Sequence, residues 1–262
     1  MARQWFLRRW TGTLLGLAGL FLQYGRKRPD RAMGFYGRAL GMGTRHIPVL
    51  GSYGLLLLRG GSYAQAKEAF EQALANSKHF YVNKTMKANI ALCLWKLGRV
   101  EEAVLAYEKL LYDMADLSRP VDWSPAEREH LLKENPYFTA QDFVSLGYLH
   151  LELGHLREAR FHTEAALERS PDLSTAYDNL GQIHLAEGKG DQAKAAFEKA
   201  LSLHPGQVDS LYHLARLRLG EGDLPGSREL AGRLLAVPMD GLNSITPEMA
   251  RTLAEDVEKA TP

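Results

Sequence analysis

The residues of this chain best suited to chemistry are nine histidines, a single cysteine and a few adjacent carboxylates. A structural or catalytic metal needs three or four imidazole, thiolate or carboxylate ligands converging on one point. His150 and His184 come nearest to such a set, because they stand 34 residues apart in two similar segments that could lie on neighbouring helices. No thiolate or carboxylate at matching spacing completes the set, so the sequence predicts two core histidines and no metal. His155 and His162 fall on the following helix, where they are expected at its surface. Neither H-E-x-x-H nor the phosphate loop G-x-x-x-x-G-K-[ST] occurs. Cys93 lies among Ala91, Leu92, Leu94 and Trp95, which predicts a small buried residue rather than a nucleophile, and one cysteine excludes an internal disulfide. The pair Glu101–Glu102 opens a helical stretch, where carboxylates favour the helix dipole. The chain therefore reads as non-catalytic, with no cofactor.

Composition narrows the partners. With 45% hydrophobic and 24% charged residues, the 262-residue chain has the balance of an ordered soluble protein. Its net charge of +1 is uneven: residues 1–31 hold seven basic residues against one acid, which leaves −5 on the remainder. An acidic body argues against a nucleic-acid groove. Electrostatic docking is confined to the N-terminal end, towards anionic lipid or an acidic partner.

Positioning requires elements, and the elements repeat. LGYLHLELGHLREARFHTEAALERSP (146–171) aligns with LGQIHLAEGKGDQAKAAFEKALSLHP (180–205) at an offset of 34, matching Gly147 to Gly181, Gly154 to Gly188, Ala159 to Ala193 and Pro171 to Pro205. A weaker copy follows, with Leu214, Ala215, Gly222 and Ser227. Upstream copies carry Gly54, Gly61, Ala66, Phe70 and Ala73, then Ala91, Gly98, Ala103 and Tyr107. Each copy holds two amphipathic stretches of helical period. The central glycine suits a left-handed helix end, and proline stops the second helix. One such hairpin cannot bury its own apolar face, so neighbours must stack.

This pattern resembles the tetratricopeptide repeat over nearly the whole chain: a small residue at position eight, Gly near fifteen, Ala at twenty and twenty-seven, an aromatic at twenty-four. The resemblance implies an all-α solenoid, a right-handed superhelix of helix hairpins whose first helices line a concave, peptide-binding surface. Carried over by position, that surface comprises Asn89, Trp95 and Lys96, then Tyr148, then Asp178, Asn179 and Gln182, then Tyr212, His213 and Arg216. Related proteins use asparagine at the place of Asn89 and Asn179 to bond a peptide backbone, since an amide both donates and accepts. Trp95, Tyr148 and Tyr212 could supply aromatic anchors. A known variant clamps a C-terminal carboxylate with Lys and Asn. Here Gly51, Leu55, Gln141 and Ser145 stand instead, so that ligand is not expected.

Two segments depart from the period. Between Ala103 and Ala159 twenty-two extra residues carry helix signals of their own. Ser124, Pro125 and Glu127 make a start and Asn135–Pro136 a stop, with Trp123, Tyr137 and Phe138 to pack the helix down. At the other end, 34 residues before Ala66, Phe70, Ala73 and Leu74 stand Ala32, Tyr36, Ala39 and Leu40. These read as the second helix of an earlier repeat. Its first helix then falls on LLGLAGLFLQYG, placing Leu17, Ala18, Phe21 and Gly25 at positions seven, eight, eleven and fifteen, with a turn two residues longer. The apolar run Thr11–Tyr24 is shorter than the about 20 residues a spanning helix needs. Yet Leu14–Leu22 is apolar on all sides, so a membrane surface, a second copy, or Trp5, Phe6 and Trp10 folding back should cover it.

The expected organisation is a basic, aromatic segment (1–12), a divergent first repeat (13–45), two repeats (46–112), an inserted helix (113–138), three repeats (139–241) and a capping helix (242–262). The expected function is a protein-interaction scaffold binding a peptide or helix in its concave groove, in the cytoplasm of a bacterium. Three other readings stay open. One is an adaptor tethered to the inner membrane, facing the cytoplasm, through residues 11–24. Another is a homodimer through the first repeat. The last is an enzyme or metal sensor built on the histidines.

Overall fold

The structure, a computed structural model, describes residues 2–114, 133–134, 136 and 138–260, without the side chains of residues 2–6, 80 and 111–114. It divides into two compact units, Met1–Leu110 and Leu111–Pro262. Among the described residues every regular element is helical.

The first unit holds α1 (Ala2–Leu20), which runs into a π-helical turn (Phe21–Gly25), then α2 (Pro29–Gly41), α3 (Ile47–Arg59), α4 (Tyr63–Asn76), α5 (Phe80–Lys96) and the start of α6 (Val100–Met114). Helices α1 and α2, and α3 and α4, form antiparallel hairpins, and α5 packs back on α4. The expected small residue under an aromatic is present: a Cβ at Gly54 would come within 2.7 Å of the Phe70 ring. The expected left-handed ends are present too, with Gly61, Gly98, Gly154, Gly188 and Gly222 at φ between 73° and 81°.

The first hairpin departs from the expected register. Gly19, not Ala18, lies under the aromatic, and a Cβ there would meet Tyr36 at 2.6 Å. Gly19 and Tyr36 are seventeen residues apart, whereas Gly54 and Phe70 are sixteen apart. The π turn takes up the extra residue, with the Arg26 amide donating to the Phe21 carbonyl at 3.0 Å. It also sets Gln23 to accept from the Tyr36 hydroxyl at 2.7 Å. Lys27, at φ 51°, takes the left-handed conformation foreseen for Gly25. Trp10 is 58% exposed, so it does not fold back over the helix. Trp5 and Phe6 lie outside the described side chains.

The second unit holds α7 (Ala140–Glu152), α8 (Leu156–Arg169), α9 (Ser174–Ala186), α10 (Gly190–Leu203), α11 (Val208–Gly220), α12 (Leu224–Ala236) and α13 (Pro247–Lys259). Helices α7 to α12 form three hairpins. Thr139 and Asp142 close a capping box at the start of α7. An ion pair recurs at the repeat period: Arg160 binds Glu187 through both oxygens at 2.8 Å, and 34 residues on Lys194 binds Glu221 at 2.8 Å. Both pairs join the second helix of one hairpin to the end of the next first helix. The inserted helix expected from Ser124 to Asn135, with Trp123 and Tyr137, lies outside the described residues. Phe138 is buried, edge-on to Phe143 with centroids 4.6 Å apart.

Thr246 caps α13 by accepting from the Met249 amide, with Pro247 as its first residue. The helix buries Ala250, Leu253 and Val257 against Val208, Leu211, Leu230, Leu234 and Ile245. Met249, on the same helix, is exposed.

Candidate functional site

In the second unit the first helices α7, α9, α11 and α13 lie side by side. Polar side chains stitch this wall together. The Asn179 amide donates to the Val144 carbonyl at 3.0 Å, tying α9 to α7. The Ser210 hydroxyl donates to Asp178, tying α11 to α9, and Gln182 donates to its other oxygen at 2.9 Å. Burial and the nearby charge of Asp209 push the Asp178 carboxyl above the usual carboxylate range, while Ser210 and Gln182 act against them. Asp178 and Asn179 are 4% and 3% exposed. Of the groove residues expected from the sequence, these two therefore serve the cohesion of the wall. Tyr148 is half-buried on α7, its phenol pushed up by burial and by Glu152 and Asp209, with Ser244 opposing.

The next turn of the wall is open. His213 lies flat on Phe197, centroids 5.5 Å apart, and burial with the neighbouring Arg216 charge brings its pKa down to about 4. It is neutral near pH 7. Tyr212 is half-buried and Arg216 exposed, with the guanidinium 5.6 Å from the Tyr212 ring centre. Between them and α13 lies a recess of about 290 Å³, lined also by Thr246, Glu248, Met249, Thr252, Leu253 and Asp256. By sequence α13 is expected only as a cap. The signal for the recess is the pair Glu248 and Asp256, two turns apart on the side that the apolar stripe leaves free.

In the first unit Asn89, Trp95 and Lys96 are half-buried on α5, and the Lys96 ammonium sits 4.0 Å above the Trp95 ring.

The histidines assemble differently from the expectation. His150 stacks on His162 with centroids 5.2 Å apart and lies 5.8 Å from His155, while His184 stands beside Glu187. His162 is buried, not at the surface. The reason lies at position twenty-four, where the next repeat has Phe197 and this one has Thr163. With no large ring there, the two imidazoles pack the hairpin instead. Burial lowers them to about 4 for His150 and about 3 for His162. Among the described residues no group of three or more His, Cys, Asp or Glu could hold a metal ion. Burial likewise pushes Cys93 up to about 12, which keeps it a thiol.

Comparison with known proteins bears on this arrangement. The sequence profile of the tetratricopeptide repeat matches residues 54–118 and again residues 184–240. No curated protein sequence matches the chain. Among solved structures, PilW, described as a widely conserved type IV pilus biogenesis factor, superposes with a TM-score of 0.57 at 16% identity, covering 93% of this chain and 98% of PilW. The Cut9–Hcn1 assembly of the APC/C gives 0.64 at 14% identity over 96% of this chain, which spans 43% of that one. YrrB, a TPR protein with an unusual peptide-binding site, gives 0.49 at 19% identity, covering 73% of this chain and 86% of YrrB.

Proposed function

We propose that this chain, a member of the tetratricopeptide-repeat family, is a non-catalytic scaffold that holds a peptide or helical segment of a partner protein against its first helices. The observation that carries the reading is the recess between α11 and α13. There Tyr212 and Arg216 remain accessible while Asp178 and Asn179 are occupied within the wall. A recess of about 290 Å³ is at the low end for a small-molecule site and suits one or two side chains of a bound segment. Tyr212 offers an aromatic face, and Glu248 and Asp256 offer acceptors for a basic side chain. Arg216, itself a cation, disfavours a basic side chain at its own position.

The test is selection of random peptides on the intact chain, followed by calorimetry. Selected peptides should lose at least about tenfold in affinity on Tyr212→Ala and on Glu248→Lys, without loss of folding. Peptides that bind all three chains equally would place the ligand elsewhere.

A further inference from the structure

Six large apolar side chains stand in a row on the outside of α1 and the π turn that follows it. Leu7, Trp10, Leu14, Leu17, Phe21 and Tyr24 are each between 43% and 60% exposed. They alternate three and four residues apart, the spacing that keeps side chains on one helical face. The opposite face of α1 carries Gly12, Gly16 and Gly19, which lie against Met42, Val49 and Tyr36 of the following two helices. The row is therefore a convex ridge, about 26 Å long at ~1.5 Å per residue. Its far end is fixed, because the Tyr24 hydroxyl is hydrogen-bonded to Ser52 at 3.2 Å.

Cations stand at the far end of the ridge. Arg26 lies 5.7 Å from the Phe21 ring centre, and Lys27 and Arg31 are exposed beyond it. Arg8 belongs to the glycine side of α1, where its guanidinium donates to the Gly41 carbonyl at 3.0 Å. The one acid among the first 31 residues, Asp30, is paired with Arg28 at 3.2 Å.

This charge pattern decides between occupants. A second copy set parallel on the ridge brings Arg26, Lys27 and Arg31 against their own counterparts, which opposes like charges. A helical peptide seeks a groove, and this face is a ridge. Among the described residues no helix is long and apolar enough to cross a membrane. We propose that the ridge lies flat on an anionic lipid surface. The leucines, Trp10 and Phe21 enter the boundary between headgroups and acyl chains, while Arg26, Lys27 and Arg31 meet lipid phosphates. The inference does not depend on the peptide groove, which belongs to other helices.

Flotation of the intact chain with vesicles of phosphatidylcholine alone, or with about 30 mol% phosphatidylglycerol, tests it. Binding to the anionic vesicles should be stronger by about tenfold or more and should weaken as salt rises. It should be lost in the Leu14→Glu, Phe21→Glu double variant and reduced in the Arg26→Glu, Arg31→Glu variant. Quenching of the unmodified chain's tryptophan fluorescence by brominated acyl chains supplies a readout that needs no variant. No binding to anionic vesicles, equal binding to both kinds, or binding that survives the double variant would overturn the proposal. A dimer in sedimentation velocity that Leu14→Glu dissolves would assign the ridge to a second copy instead.

Discussion

The stacked imidazoles of His150 and His162 are held neutral by the fold, and this sets a direction for acid stability. Their folded pKa values, about 4 and about 3, lie below the ordinary histidine value of 6.5. The unfolded chain therefore takes up protons first as pH falls. Their contribution is complete above about pH 6.5 and declines as pH drops from there towards the folded values, each site costing at most about 1.4 kcal/mol per pH unit. His155 adds to the lowering of His150 and Glu158 opposes it. Replacing one imidazole by a side chain of similar size that cannot charge, His162→Leu, should flatten this decline. Between pH 6.5 and 4.5, urea unfolding should show the parent chain losing about 2 kcal/mol more than the variant. Equal losses would mean that the imidazoles are hydrated in the folded chain. At the same scale Asp178 carries a lesson about asparagine and aspartate in the repeat: a polar residue at an inward position can serve the neighbouring helix rather than a ligand, and only its burial distinguishes the two.

A hairpin closes where a glycine lies under an aromatic ring, and that contact can be tested element by element. A Cβ at Gly181 would stand 2.4 Å from the Phe197 ring, whereas one at Gly34 on α2 would meet nothing within 4 Å. Gly181→Ala must displace a buried ring and should cost about 1–3 kcal/mol. Gly34→Ala only removes backbone freedom from the unfolded chain and should add about 0.5–1 kcal/mol. Opposite shifts in melting temperature for two identical substitutions would confirm the packing, and shifts of the same sign would refute it. This contact was legible in the sequence because both partners are fixed by type: Gly54 with Phe70 and Gly181 with Phe197 recur at one spacing. The first hairpin was legible only in part. Its π turn inserts one residue, and no residue type marks that insertion, so the spacing points to Ala18 rather than Gly19 as the small residue and to Gly25 rather than Lys27 as the helix end. His162 was misplaced for a related reason. Periodicity ranks faces of a helix, but whether a polar ring is drawn in depends on the volume left by Thr163 across the hairpin. The recess was missed because it needs two helices that are far apart in sequence, α11 and the polar side of α13.

A stack of repeats is stable only if its terminal faces are covered, and the chain treats its two ends differently. At the C-terminal end α13 turns Ala250, Leu253 and Val257 inward, each no more than 4% exposed, and keeps its charged residues outward. In the first unit the outward face of α1 is itself apolar, with Arg26, Lys27 and Arg31 at its far end. Helix α13 thus closes the last hairpin against water, whereas α1 offers a face chemically suited to a further surface. The asymmetry yields a comparison of equivalent substitutions. Leu253→Asp forces a carboxylate into the cluster formed with Leu211 and Leu234 and should cost about 3–5 kcal/mol. Because α13 forms one side of the recess, the same variant should also lose the peptides that depend on Tyr212. Leu14→Asp changes a side chain that is 54% exposed and should shift stability by less than about 0.5 kcal/mol while leaving peptide binding intact. Urea midpoints of the two variants measure the difference. A small effect at Leu253 would mean that α13 is an arm resting on the last hairpin rather than its cap. A large effect at Leu14 would mean that the apolar ridge is already covered within the folded chain.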